Sequence, residues 1–450
     1  MASFQIQDGR MEIIRKPDKL IEIIVSEQAV HESAYRKIQF CLEERVDEGV
    51  LVLNALTHEM VLLSDAEYAQ ITGNPYMIRK WFCVPEDFAD RQFARQVREL
   101  VRIMHPPSGI IRKFTVFTTT ACNARCFYCY EKGWKITSME EGLADQAADF
   151  ILRKSGDEVI QIDWFGGEPL CNARVIDRIS DKIQRSGRDY YGRMISNGSL
   201  FNEKTVQKAV DLWHLKSVEI TVDGTEPVYG RIKNYKDTSG NPFRKVLDNI
   251  DRLQQAGIGI SIRLNMDRHN AEDLYELIDI LGERFGGRDG MYIMPMPLYE
   301  NLPANTLHRS EEHRRVLFDH YYKLADKIEF YGLHPRYTLK EDFRYHMCMA
   351  DSDEAVTIMP DGQVGLCEHY QDTEMIGDIW HDDFDHEVCR SFKQEWPEVP
   401  ACEACGIYPE CTRLEKCSIQ ICHRELSGLR MWRARKAMIN AYRVWRDKIT

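Results

Sequence analysis

Between residues 112 and 297, apolar runs of strand length alternate six times with stretches of helical periodicity. The runs are FTVFTT (114–119), VIQIDWF (159–165), RMISNGS (193–199), SVEITVDG (217–224), GIGISIRLN (257–265) and MYIMP (291–295). In the fourth, Val218, Ile220 and Val222 alternate with other residues, the two-residue period of a strand. Ser138 with Glu141 predicts a capping box, opening a helix whose apolar face carries Leu143, Ala147, Phe150 and Ile151. Further helices are predicted over 173–186, 202–213 and 271–285, and another ends at the Ala256-Gly257 stop. Six strand–helix units in succession predict an α/β fold of parallel strands with right-handed crossovers. Such sheets bind ligands at the carboxyl ends of their strands.

The flanks read differently. Residues 1–108 form a small α+β unit, in which Val50–Leu53 and Met60–Leu63 predict a hairpin. Ser64 with Glu67 predicts a capping box, and a longer helix follows over about 85–104. HPPSG (105–109) marks the boundary with the alternating region, 109–300. A bridge, 301–347, contains one amphipathic helix near 310–330. The last region, 348–450, ends in a helix with a stripe of Leu429, Trp432, Ile439, Tyr442 and Trp445.

Composition adds three constraints. With 450 residues, 29% charged and 44% hydrophobic, the chain is a multidomain globular protein, not a disordered one. It has no apolar run of membrane-spanning length and no signal-peptide pattern, so a cytoplasmic protein with no membrane partner is expected. The net charge of −12 argues against a general nucleic-acid binder. That charge is uneven: residues 351–415 carry a balance of −14, whereas 424–450 carry +6. The unusual feature is fourteen cysteines, which in such a chain read as thiolates for metal, cluster or redox chemistry. Three form a knot at Cys122, Cys126 and Cys129, and eight lie between 348 and 422. Cys41, Cys83 and Cys171 stand alone and are expected to be small buried hydrophobes.

Cys-x3-Cys-x2-Cys in a loop after a strand brings three thiolates together, one fewer than closes a tetrahedral zinc or a four-iron cluster. An open metal position has room for a substrate or cofactor. The segment CNARCFYC, with Tyr128 before the third cysteine, resembles the signature of the radical S-adenosylmethionine (SAM) superfamily. The resemblance covers roughly residues 112–300. It implies a partial (β/α)6 TIM-type barrel in which Cys122, Cys126 and Cys129 hold a [4Fe–4S] cluster that chelates SAM and cleaves it to a 5′-deoxyadenosyl radical. Gly166-Gly167-Glu168-Pro169 is similar to the family's GGEP motif, which meets the SAM amino group. By the same resemblance Ser196 and Asn197 would contact the ribose. Asp223 ends the fourth strand, and Arg263 and Asn265 end the fifth, where a cation would meet the SAM carboxylate.

The second cysteine region reads Cys348-x13-Gly362-x4-Cys367, then Cys402-x2-Cys405-x5-Cys411-x5-Cys417-x4-Cys422. It resembles the SPASM extension of peptide-modifying radical SAM enzymes, although the spacings on either side of Cys417 depart from that pattern. The resemblance implies two auxiliary [4Fe–4S] clusters, three in all. Carried over by order, Cys348, Cys367 and Cys417 would hold the first, and Cys402, Cys405, Cys411 and Cys422 the second. Cys389 is expected to be a buried bystander. A pair of structural zinc sites is the alternative, since Cys-x2-Cys is also zinc grammar. Glu368, beside Cys367, matches the catalytic base of sulfatase-maturing relatives.

Together these resemblances imply an enzyme that installs a cross-link, thioether or carbon–carbon, in a ribosomally made precursor peptide. The N-terminal unit resembles a winged-helix-like module that captures a leader peptide at a sheet edge. An electron donor such as flavodoxin or ferredoxin is implied. The alternative activity is sulfatase-type oxidation of Cys or Ser to formylglycine.

Overall fold

The structure is a computed structural model that describes residues 11–237, 239–298, 310–346, 348–411, 414–417 and 422–449. The start of the expected bridge, 301–309, lies outside the described residues.

The N-terminal unit comprises β1 (Glu12–Arg15), α1 (Lys19–Ile24), β2 (Tyr35–Lys37), β3 (Cys41–Val46), β4 (Gly49–Asn54), β5 (Met60–Leu63), α2 (Asp65–Ala69), α3 (Pro75–Arg79), β6 (Cys83–Pro85) and α4 (Asp90–Met104). The expected hairpin is β4–β5, at the centre of an antiparallel sheet ordered β1-β5-β4-β3. Both of its strands are buried along their whole length, because the sheet is covered on both faces. The Ser64–Glu67 capping box is present on α2. The long helix starts later than its periodicity suggests, because Cys83–Pro85 pairs with β2 instead.

The alternating region runs β7 (Lys113–Thr119), α5 (Glu141–Lys154), β8 (Ile160–Gly166), α6 (Ala173–Arg185), β9 (Tyr190–Ser196), α7 (Glu203–Asp211), β10 (Leu215–Thr221), α8 (Glu226–Lys233), α9 (Pro242–Gln255), β11 (Gly259–Met266), α10 (Asp273–Phe285) and β12 (Met291–Pro297). All six strands are parallel and ordered by sequence from β7 to β12. In β9, β12 and β8 as far as Trp164, every second residue is buried, while the residues between are half-buried or exposed. Parallel sheets with both faces covered lack this alternation. Here one face is packed under helices and the other lines an open lumen, as in a partial barrel. The predicted cap at Ser138 does not form: α5 begins at Glu141 without a side-chain cap, and the Ser138 hydroxyl lies 2.7 Å from that of Thr119. The pairing of Thr119 with Ser138 closes the cysteine loop at its base and takes the serine away from the helix.

After α11 (Glu311–Phe330), β13 (Ala355–Ile358) pairs in parallel with β7 and extends the barrel sheet. An antiparallel hairpin of β14 (Gln363–Gly365) and β15 (Met375–Asp378) continues it to nine strands. Gly362, at φ +88°, makes the β13–β14 turn, which folds Cys348 and Cys367 back toward each other. Then come α12 (His386–Ser391) and α13 (Arg424–Ile449). The apolar stripe of α13 does not dock on the barrel alone. Met438 and Tyr442 pack on Leu42, Leu51, Leu53 and Leu62 of the N-terminal sheet, while Leu429 and Trp432 reach the barrel core.

Candidate active site

The loop after β7 carries Cys122, Cys126 and Cys129 to the carboxyl end of the sheet. It is held at both ends by backbone. Arg125 N–H donates to the Lys233 carbonyl at 2.8 Å, and Thr120 and Thr137 bond across the base. Gly166 and Gly167 follow β8 directly beneath it. A Cβ at Gly166, which has φ +118°, would come 2.1 Å from the Thr119 oxygen, and one at Gly167 would come 2.6 Å from that of Ala121. Only glycine lets these two turns approach so closely. Burial first, and then neighbouring charges, push the Cys122 thiol up to about 12 and that of Cys129 up to about 11, and Cys126 contributes to both shifts. The three thiols are thus electrostatic neighbours, and loading a metal must displace the protons of Cys122 and Cys129.

These residues open onto a cavity of about 450 Å³, lined also by Gly166, Gly167, Ile195, Ser196, Asn197, Thr221 and Lys233. Tyr128 forms its back wall and anchors a buried network. Its hydroxyl donates to Asp223 at 2.5 Å and accepts from Lys233 and Asn265 at 3.0 Å. Lys233 pairs with Asp223 at 2.7 Å, both of them buried. Burial pulls the Lys233 ammonium down, but Asp223, Tyr128 and Cys126 more than offset this and keep it charged. Sequence reading missed Lys233, which lies at the end of α8, a helix hidden in a polar stretch. The signal available was a lone basic residue shortly after a strand end, and that is common.

One sequence expectation, that for Cys171, is corrected, and two residues of the candidate SAM site are placed. The Glu168 carboxylate is fully buried and does not line the cavity. It accepts from Ser196 Oγ at 2.9 Å, Asn197 N–H at 2.8 Å and Leu170 N–H at 3.2 Å, so it ties β8 to β9 and leaves the glycine backbone to face a ligand. Arg263 is half-buried on β11, and its charge acts on His369. It pairs with Glu219 at 3.3 Å and donates to Asn265 at 2.9 Å. Cys171 is exposed rather than buried, because it sits on the 3₁₀ turn Pro169–Asn172, near Cys122.

Cys348, Cys367 and Cys417 come together beside this site. Burial pushes the Cys367 thiol up, helped by Glu368, Cys348 and Cys417. Cys402, Cys405, Cys411 and Cys422 form another group: burial and then the other three push Cys405 up to about 12. Cys389 stands apart from both, with Lys393, Asp353 and Asp385 as its charged neighbours. Between the knot and the first of these groups, the Tyr130 ring lies 4.1 Å from that of His369, and Glu368 is half-buried beside them. Burial, with the charge of Arg263, lowers His369 to about 4 and keeps it neutral. Among the described residues no three His, Cys, Asp or Glu side chains close on a single metal ion. A four-iron cluster instead takes its thiolates one per iron.

An open parallel half-barrel, with a three-cysteine loop over a glycine-lined cavity at its strand ends, is the arrangement of a radical SAM domain. Residues 116–281 match the family model of the Radical SAM superfamily, and the chain carries that domain. An uncharacterized protein of Methanocaldococcus jannaschii is 25% identical over 266 residues, 58% of this chain and 86% of that protein. A probable GTP 3′,8-cyclase of Methanococcus maripaludis is 28% identical over 148 residues, 33% of this chain. The sporulation killing factor maturation protein SkfB of Bacillus subtilis is 22% identical over 167 residues, 37% of this chain. The chain spans less than half the length of these last two, 47% and 38%. Among solved structures, anSMEcpe with bound AdoMet superposes with a TM-score of 0.54 at 14% identity, covering 74% of this chain and 99% of that one. Streptococcus suis SuiB bound to precursor peptide SuiA superposes at 0.51 with 10% identity, covering 86% and 100%. Both share the fold.

Proposed function

We propose that the protein is a radical SAM maturase that installs a thioether or carbon–carbon cross-link in a ribosomally synthesised precursor peptide. One observation carries the reading: three thiols stand in the loop at the carboxyl end of an open half-barrel, and seven further thiols fall into two sets of electrostatic neighbours. Cys122, Cys126 and Cys129 would hold the SAM-binding cluster. Cys348, Cys367 and Cys417 would hold one auxiliary cluster, and Cys402, Cys405, Cys411 and Cys422 the other. Seven auxiliary thiols for two four-iron clusters leave one iron open to a substrate sulfur. When bound, the first cluster and SAM supply a 5′-deoxyadenosyl radical that takes hydrogen from an unactivated carbon.

The chain's residues bind and orient. The Gly166–Gly167 backbone would meet the amino group of SAM, and Ser196 and Asn197 its ribose. The buried Lys233 ammonium spends its donors on Asp223, Tyr128 and Thr221, and so holds Tyr128 in place against the cavity. Glu368 takes up the proton released as the substrate is oxidised. The N-terminal sheet, whose edges are β1 and β3, would capture an extended leader peptide. The likeness to SkfB supports a peptide substrate. A flavodoxin- or ferredoxin-like donor and a cytoplasmic setting complete the reading.

Anaerobically reconstituted protein should bind about twelve irons and, once reduced, cleave SAM to 5′-deoxyadenosine. Cys126→Ala should abolish cleavage, read by chromatography. Mass spectrometry of a treated precursor should show a two-hydrogen loss with a cross-link. An aldehyde would instead assign formylglycine formation, and zinc without iron would overturn the reading.

A further inference from the structure

Cys402, Cys405 and Cys411 are held from outside their own segment. Gln39, just before β3, donates through Nε2 to the carbonyls of Cys402 at 2.7 Å and Cys405 at 3.2 Å. Arg98, on α4, donates to the Cys411 carbonyl at 2.7 Å, with longer contacts of 3.4 Å to those of Tyr408 and Pro409. Its side chain is 2% exposed, pairs with Glu395 at 3.1 Å and lies over the Tyr408 ring. Cys402, Cys405 and Tyr408 also share one apolar core with Ile21, Phe40 and Val97 of the N-terminal unit. Phe40 stacks on Tyr408 at 6.0 Å, and a Cβ on Gly406 would come 2.5 Å from Leu42.

Burying an arginine is costly unless its donors are satisfied, and here they are satisfied largely by the backbone of the cysteine segment. Two side chains of one module thus hold the backbone of three of the four cysteines, and α13 approaches the same group. On that helix, Arg430 Nη1 lies 3.7 Å from Cys411 Sγ.

We propose that the N-terminal unit is a structural half of the second auxiliary cluster's site. Gln39 and Arg98 are positioning residues that hold the cysteine backbone, and the Arg98 charge raises that cluster's reduction potential. The proposal rests on reading Cys402, Cys405, Cys411 and Cys422 as cluster ligands. Outer hydrogen bonds pre-organise ligands, and a nearby positive charge favours the more negative, reduced cluster.

The test compares full-length wild type, Gln39→Ala, Arg98→Met and Arg98→Lys after anaerobic reconstitution, by iron content and EPR-monitored redox titration. Arg98→Met should either lose about four irons per chain or keep them at a lowered potential. Arg98→Lys, which retains the charge but not the planar fork, should restore the potential. Gln39→Ala should weaken cluster retention without moving the potential. SAM cleavage in the absence of peptide should be unchanged in all three. If Arg98→Met does not fold, Arg98→Lys and Gln39→Ala still decide the matter by iron retention and potential. Variants with a full complement of iron, equally retained, at wild-type potentials would overturn the proposal alone. A wild type holding only about four irons would overturn the auxiliary-cluster reading and this proposal with it.

Discussion

The Glu168 carboxylate receives donors from Ser196, Asn197 and Leu170 in a site with no exposure to solvent. Burial pushes its pKa up to about 7, against the lowering effect of those bonds. The folded chain therefore holds this proton more tightly than the unfolded one. The stability it contributes is present in full below about pH 4.5 and is lost as pH rises through about 7. Glu168→Gln should remove this dependence in the iron-free protein, flattening a slope of roughly 3 kcal/mol across that window. Urea denaturation at pH 5 and pH 8 checks it; parallel losses in both proteins would show that the slope arises elsewhere. The residue types of the motif were legible in the sequence, but the direction of this side chain was not. A carboxylate among glycines at a strand end reads as ligand-facing until the neighbouring strand supplies its donors. Lys233 is the converse case, a buried cation that only its pairing with Asp223 reveals.

At the scale of elements, periodicity located all six parallel strands because each must bury one face under helices. It failed at Ser138, where a tertiary pairing with Thr119 outcompeted a local cap. It also missed α8, whose apolar content is too sparse to stand out. The Gly166–Gly167 turn is the rigid joint between the cysteine loop and β8. Gly167→Ala would force a Cβ to 2.6 Å from the Ala121 oxygen. We expect a cost of about 1–3 kcal/mol from overpacking, read as a lowered melting temperature. SAM cleavage should fall with it, while about eight auxiliary irons stay bound.

For the whole molecule, the barrel sheet and the C-terminal segment are continuous, since β13 pairs with β7. The N-terminal unit joins the same body through α13 and through the core it shares with Cys402 and Cys405. Packing contacts thus cross the boundaries suggested by HPPSG and by cysteine density. Hydrogen exchange on iron-free protein should show this. Protection should persist in the half-barrel, while residues 400–411 and α4 lose it together, because neither packs well without the other. Loss confined to 400–411 would mean that the two are not coupled.

By itself, the sequence determined the six-unit α/β plan, the three-cysteine knot with its glycine turn, and the grouping of the remaining cysteines into one dense region. Each of these follows from local period or from spacing along the chain. The tertiary structure decided that Glu168 is buried against β9, that Lys233 pairs with Asp223 behind the cavity, and that Gln39 and Arg98 bond to the backbone of Cys402, Cys405 and Cys411. Those outcomes depend on contacts between segments up to several hundred residues apart, where burial and pairing, and not local pattern, select the partner.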